Sequence, residues 1–151
     1  MTTATTDALI VTCPSCATAN RVPREKLNAG GACGRCKKPL FAGEPITLTA
    51  ANFDAHARLA NIPMLVDFWA PWCGPCRQMA PAFAAAARQL EPAMRLGKLD
   101  TEAESVIAGR YGIRSIPTLI LFQNGREIAR QSGAMPERAI VDWARGATAA
   151  H

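Results

Sequence analysis

Met64-Leu-Val-Asp-Phe-Trp-Ala-Pro-Trp-Cys-Gly-Pro-Cys76 decides the fold of this 151-residue chain. Met64 to Ala70 is a near-continuous apolar run, the pattern of a strand buried on both faces. A C-x-x-C pair, Cys73 and Cys76, follows directly. It opens a stretch from Pro75 to Leu90 that reads as a helix, with Pro81 expected to kink it. A dithiol at the junction of strand and helix sits among unpaired N–H groups and positive dipole charge. That setting stabilises a thiolate on the first cysteine, with the second placed to resolve it. Gly74 leaves room for a substrate backbone, and Pro75 sets φ where the helix begins. A lone structural disulfide and half of a metal site are the alternative readings of the pair.

Working outward, Asp67 is a carboxylate inside the apolar run. Burial there is costly unless the group has a partner or a task, and desolvation would raise its pKa into the range of a proton shuttle. An Asp turned to water at a strand edge is the plainer alternative. Lys98 lies inside the next strand pattern, Met94–Leu99, and is a candidate partner for Asp67. Ile116-Pro117-Thr118 leads into an apolar strand, Thr118–Phe122. A proline there fits a bend, and a cis bond would let it lie against the thiols. Asn124-Gly125 separates that strand from Glu127–Gln131 and signals a hairpin. Ile46–Thr49 reads as a short strand. Asn52 is positioned to cap a helix through about Leu59, on which His56 reads as a surface residue. Glu102–Tyr111 and Pro136–Arg145 complete the helices. Strand and helix alternate before a closing hairpin and helix, which implies an α/β fold: a mixed central sheet with helices on both faces.

The remaining four of the six cysteines, Cys13, Cys16, Cys33 and Cys36, form two more C-x-x-C pairs 16 residues apart. That spacing matches a four-thiolate zinc site. Each pair carries a turn-former after its first thiol, in Cys13-Pro-Ser-Cys16 and Cys33-Gly-Arg-Cys36. About 40 residues of low apolar content cannot build an adequate core, so a metal staple is physically required. Four protein ligands close the coordination shell, so one zinc ion per chain is expected, structural in role. The alternative is a pair of structural disulfides in a secreted domain. Ala42-Gly43-Glu44-Pro45 breaks the pattern and reads as a linker. It separates an N-terminal zinc ribbon, 1–42, from a second domain, 46–148.

Composition agrees with a globular protein, at 49% hydrophobic and 19% charged residues. No apolar stretch approaches the ~20 residues of a membrane helix. Met1–Asp7 has no basic flank, and Ala8–Val11 is too short for a signal peptide, so a cytoplasmic location is expected. The formal charge is +5; four thiolates around a divalent ion lower it to +3. Neither value requires a nucleic-acid partner.

Residues 46–148 resemble a thioredoxin along their whole length. The likeness is carried by Val66-Asp-Phe-Trp-Ala-Pro-Trp-Cys-Gly-Pro-Cys76, Lys98-Leu-Asp100, Tyr111-Gly-Ile-Arg-Ser-Ile-Pro-Thr118, Phe122-Gln-Asn-Gly125 and Ser132-Gly-Ala134. With the ribbon, the chain resembles the zinc-carrying second thioredoxins of bacteria. The resemblance implies a protein-disulfide reductase with Cys73 as attacking thiolate and Cys76 as resolving thiol. Asp67 would be the buried proton acceptor, modulated by Lys98. Pro117 would be cis, and Trp72, Gly74, Pro75, Ile116 and Gly133 would form the docking surface. Disulfide-containing proteins and an NADPH-dependent thioredoxin reductase are the implied partners, and no organic cofactor is implied. Two departures stand out: Ser132 where the family often has an apolar residue, and Lys37 where a knuckle often has glycine. A zinc-ribbon binding module on an inactive scaffold and a redox-switched chaperone are the competing functional readings.

Overall fold

The computed structural model describes residues 8–150, arranged as two sheets. Met1–Asp7, the segment without a basic flank, lies outside the described residues. In the first sheet, β1 (Ala8–Thr12) pairs antiparallel with β2 (Ala19–Pro23). A 3-10 helix, Arg24–Ala29, comes next, and an isolated bridge joins Ala32 to Pro39. A small core gathers here from Leu9, Val11, Cys13, Cys33 and Leu40. Ile62, from beyond the linker, completes it. The linker is itself anchored: the Gly43 N–H donates to Glu91 Oε1 at 3.0 Å.

The second sheet has the order β3-β5-β4-β6-β7, from β3 (Ile46–Thr47), β4 (Met64–Trp69), β5 (Arg95–Asp100), β6 (Thr118–Gln123) and β7 (Arg126–Ser132). β3 and β4 lie parallel to β5, whereas β6 runs antiparallel to both β4 and β7. The helices are α1 (Phe53–Ala57), α2 (Gly74–Leu90), α3 (Ser105–Arg110) and α4 (Glu137–Ala149). Alternation along the strands divides the core. Leu65, Leu96, Leu119 and Leu121 pack with Phe83, Leu90, Ile140 and Val141 of α2 and α4. Val66, Phe68, Leu99 and Ile120 pack on the other face with Phe53 and Ile107 of α1 and α3. This is the mixed sheet with helices on both faces that the alternating pattern implied. β3 closes on β5 only over a glycine: a Cβ on Gly97 would lie 2.7 Å from both Leu48 Cδ1 and Met64 Cε.

Several local expectations are corrected. The strand in Met94–Leu99 runs from Arg95 to Asp100. Asn52 sits at the cap position of α1, but its side chain makes no capping bond; Asn52 Oδ1 instead accepts from the Thr49 N–H at 2.7 Å. The helix in Glu102–Tyr111 starts only at Ser105, because Asp100 Oδ1 accepts from the N–H groups of Glu102 and Ala103 and holds a separate turn. Pro81 lies inside α2 without ending it. His56 is buried, at 2% exposure, and is not a surface residue. The hairpin is as expected, with Asn124 and Gly125 at φ +53° and +80° between the paired Gln123 and Arg126.

Candidate functional site

The dithiol is held as a Cys73–Cys76 disulfide. The chain leaves the C-terminal end of the central strand β4 and α2 begins at Gly74, which makes Cys73 the helix N-cap. Its Sγ accepts the Cys76 N–H at 3.2 Å, an orphan donor of the first helical turn. Cys73 is 4% exposed and Cys76 1%, so the first sulfur is the outer one. Both pack with Ala70, Trp69 and Ile116.

The residues expected to dock substrate lie together around the disulfide. The Ile116–Pro117 bond is cis, and the Ile116 carbonyl oxygen lies 3.8 Å from Cys73 Sγ. Gly133, at φ +99°, donates its N–H to the Pro117 carbonyl at 2.9 Å. That bond ties the end of β7 to the proline loop. Trp72 is 66% exposed beside the disulfide, and Gly74 and Pro75 are exposed at the helix start. Ser132 also has a place: its hydroxyl lies 3.1 Å from Thr118 Oγ1, which donates to the Ser115 carbonyl at 2.6 Å. A polar residue therefore braces the loop where the family often has an apolar one.

Asp67 is completely buried, and neither carboxyl oxygen has a protein hydrogen-bond partner. Desolvation pushes its pKa up to about 7, against a smaller downward pull from the Lys98 charge. Asp67 and Lys98 are register partners in β4 and β5, so the structure does bring them together. The ammonium, however, sits over the Trp69 ring, 4.4 Å from its centroid. Among the described residues it makes no ion pair with Asp67. Lys98 acts on Asp67 through its field.

The other four cysteines form a second cluster, with their sulfurs all within 4.8 Å of one another. Cys13 and Cys36 Sγ are 3.6 Å apart, and Cys16 and Cys33 Sγ 3.7 Å. A tetrahedral zinc with Zn–S bonds of ~2.3 Å needs sulfurs about 3.8 Å apart, so the donor set fits that ion. Each knuckle directs backbone N–H groups at its first sulfur, from Ser15 to Cys13 at 3.3 Å and from Arg35 to Cys33 at 3.4 Å. Hydrogen bonds from the Cys36 backbone and the Asn20 side chain push the Cys33 thiol down to about 6, whereas Cys36, despite a hydrogen bond from the Lys38 backbone, is pushed up to about 11 by burial and the neighbouring thiols. The two knuckles turn on Ala17 and Lys37, at φ +63° and +69°. Lys37 is therefore in the conformation that glycine would adopt more easily.

Sequence reasoning missed Arg95, Glu91 and His56, which form a buried polar seam between the two sheets. Arg95 Nη1 lies 3.8 Å from Glu91 Oε2, with both side chains 2% exposed. The signal that could have found it was the i,i+4 spacing of opposite charges ending in an apolar strand. Glu91–Pro92 is a second cis peptide bond that sequence reasoning also missed.

Comparison with known proteins bears on both clusters. The profile described as "Thioredoxin" matches residues 44–146, and that described as "Thioredoxin 2, N-terminal", a zinc-ribbon profile, matches 12–38. Thioredoxin C-3 of Corynebacterium nephridii is 43% identical over 135 residues, covering 89% of this chain and 92% of its own. Thioredoxin 1 of Synechococcus elongatus is 41% identical over 95 residues, covering 63% and 89%. A solved structure of a single-residue mutant of a thioredoxin from Halobacterium salinarum superposes with a TM-score of 0.64 at 29% identity, covering 72% of this chain and 94% of that one.

Proposed function

The chain belongs to the thioredoxin family, with thiol–disulfide redox function, and on that premise we propose that it is a protein-disulfide reductase carrying one structural zinc. The observation that carries the reading is the Cys73–Cys76 pair capping α2 under the Ile116 carbonyl, with Asp67 buried in the strand that leads into it. In the reduced form, the Cys73 thiolate attacks one sulfur of a substrate disulfide. A Cys73–substrate disulfide forms, and the other substrate sulfur leaves as a thiolate and takes a proton from solvent. Asp67 then accepts the Cys76 proton, and Cys76 attacks Cys73 Sγ. The second substrate sulfur leaves, and two electrons have passed to the substrate as Cys73–Cys76 becomes oxidised. A carboxyl titrating near 7 suits this role, since it can both take and return a proton at neutral pH.

Exposed Trp72, Gly74, Pro75 and Gly133, with Ile116 and cis Pro117, form a surface that receives an extended substrate chain. Regeneration by an NADPH-dependent thioredoxin reductase completes the cycle. A reducing compartment such as the cytoplasm fits both the dithiol and the zinc thiolates; no helix among the described residues is long and apolar enough to cross a membrane. The unit at 1–42 is the zinc ribbon and 46–148 the redox domain. Zinc would be held by Cys13, Cys16, Cys33 and Cys36, supplying a fourfold cross-link that reinforces the ribbon's small core.

The test is insulin-disulfide reduction with NADPH and thioredoxin reductase. The wild-type chain should turn over, and Cys76→Ser should stop after one event with substrate trapped on Cys73. Trapping on any of the four ribbon cysteines instead would sink the assignment.

A further inference from the structure

The zinc knuckles do not stand on the ribbon alone. Arg95 opens β5 and is 2% exposed. Its Nη2 donates to the Thr12 carbonyl at 2.8 Å, a bond spanning 83 positions of sequence. Thr12 ends β1 and directly precedes Cys13, which is fully buried. The Thr12 hydroxyl donates to the Ala55 carbonyl in α1 at 2.6 Å. The residue ahead of the first ligand is thus tied to the redox domain by both its carbonyl and its side chain. The Phe41 ring covers the guanidinium, with 4.4 Å between the Arg95 Cζ and the ring centroid.

Charge explains why an arginine stands there. A buried guanidinium needs anions around it. Glu91 is one, but at 3.8 Å it is beyond a good charge-assisted hydrogen bond, and Arg95 Nε has no partner. His56 is no anion: burial and the nearby Arg95 charge hold its imidazole at about 3, so it is neutral at pH 7. Cys13 follows directly on the Thr12 carbonyl that Arg95 holds, so a thiolate ligating zinc there would bring its charge to the guanidinium. Four thiolates around one divalent ion carry a net charge of −2, and among the described residues of the ribbon no lysine or arginine is buried to offset it.

We propose that Arg95 is the buried counter-charge of the zinc–thiolate centre, delivered from β5 through Thr12, so that metal retention depends on the redox domain. The proposal rests on the zinc reading above. Arg95 is a positioning residue: it holds Thr12, and through it Cys13, while its charge opposes that of the thiolates. It stands at the end of β5 away from the dithiol, about 16 Å of strand from Asp100. The coupling therefore concerns the metal and the N-terminal end of β5, and it requires no contact between the two cysteine clusters.

Zinc release from the full-length, zinc-loaded protein into excess 4-(2-pyridylazo)resorcinol tests this. Arg95→Met keeps the aliphatic bulk and removes the charge; release should accelerate about tenfold or more, the usual scale for an outer-shell partner. Arg95→Lys keeps the charge without the planar fork and should recover most of the loss. Wild-type release from a folded Arg95→Met protein overturns the proposal. So does an Arg95→Lys protein no better than Arg95→Met, because charge would then not be the cause. If Arg95→Met does not fold, hydrogen exchange of the wild-type chain with and without zinc decides. Metal removal should strip protection from 94–97 as well as from 8–13, and loss confined to 8–41 overturns the coupling. Protein that purifies without zinc defeats the zinc reading itself, an outcome distinct from zinc-loaded protein indifferent to Arg95.

Discussion

Three C-x-x-C segments in this chain begin alike and end differently. In each, the N–H four residues after the first cysteine donates to that cysteine's carbonyl: Ala17 to Cys13 at 3.0 Å, Lys37 to Cys33 at 2.9 Å and Arg77 to Cys73 at 3.1 Å. In each, the first sulfur accepts a backbone N–H from within the motif. The paths part at that fourth residue. Ala17 and Lys37 take positive φ, and the chain doubles back, so that Cys13 and Cys33 donate to the carbonyls of Thr18 and Lys38. Arg77 stays helical and α2 runs on to Leu90. Doubling back lets two knuckles face each other and pool four sulfurs. A continuing helix isolates its pair and leaves it only one partner, the other cysteine. The motif supplies local geometry; the backbone turn after its second cysteine selects a pooled cluster of four sulfurs or an isolated dithiol.

The largest break in this comparison comes from removing one knuckle ligand. Cys33→Ser should lose essentially all of the one zinc expected per chain, measured by metal analysis after purification without chelator. The Cys73–Cys76 pair should still oxidise and reduce, because its geometry is set by α2. A Cys33→Ser protein that keeps full zinc occupancy would show that the four sulfurs do not act as a unit.

The next effect concerns the buried carboxyl group in the strand that leads into the redox pair, which has no counterpart in the ribbon. Asp67 titrates near 7 when folded and near 4 when unfolded. Below pH 4 both states are protonated and the group has no effect. Between pH 4 and 7 the unfolded chain releases the proton that the native state keeps, so stability falls as pH rises. Above pH 7 the penalty levels off at about 4 kcal/mol. Asp67→Asn removes this dependence. Its stability relative to wild type, from urea unfolding, should improve by a few kcal/mol between pH 4 and pH 8. Turnover near pH 7 should fall about tenfold or more. A stability difference that stays flat across that range would make Asp67 an ordinary strand residue.

The smallest effect sharpens the point of divergence. Ala17→Gly removes the Cβ from a left-handed position and should stabilise the zinc-loaded ribbon by about 0.5–1 kcal/mol. Arg77→Gly, on the helical branch, should destabilise by a similar amount. Urea midpoints of the two variants moving in the same direction would contradict the role assigned to φ.

Much of the redox site was legible because its signals are local. The apolar run, the C-x-x-C pair and the buried acid share 13 consecutive residues, Met64 to Cys76. Zinc-ligand spacing is local as well, within each knuckle, and the 16-residue gap between knuckles is short. The buried strand ending in Asp100 was legible as a strand, but not the reason for a charge at its first residue. His56 looked like a surface residue because α1 is too short, at five residues, to display a periodic face.

The sequence by itself determined the order of strands and helices from Ile46 onward, the grouping of both cysteine clusters and the chemistry each can carry. All of these come from spacing and from the periods of apolar residues. Tertiary structure decided how charge is distributed between distant segments. It set Lys98 over Trp69 and left the Asp67 carboxyl without a hydrogen-bonding partner. It also drew Arg95 across 83 positions to the carbonyl beside Cys13. Such pairings depend on which groups lose water together when the two sheets close. Desolvation is a property of the packed assembly, so no window of sequence contains it.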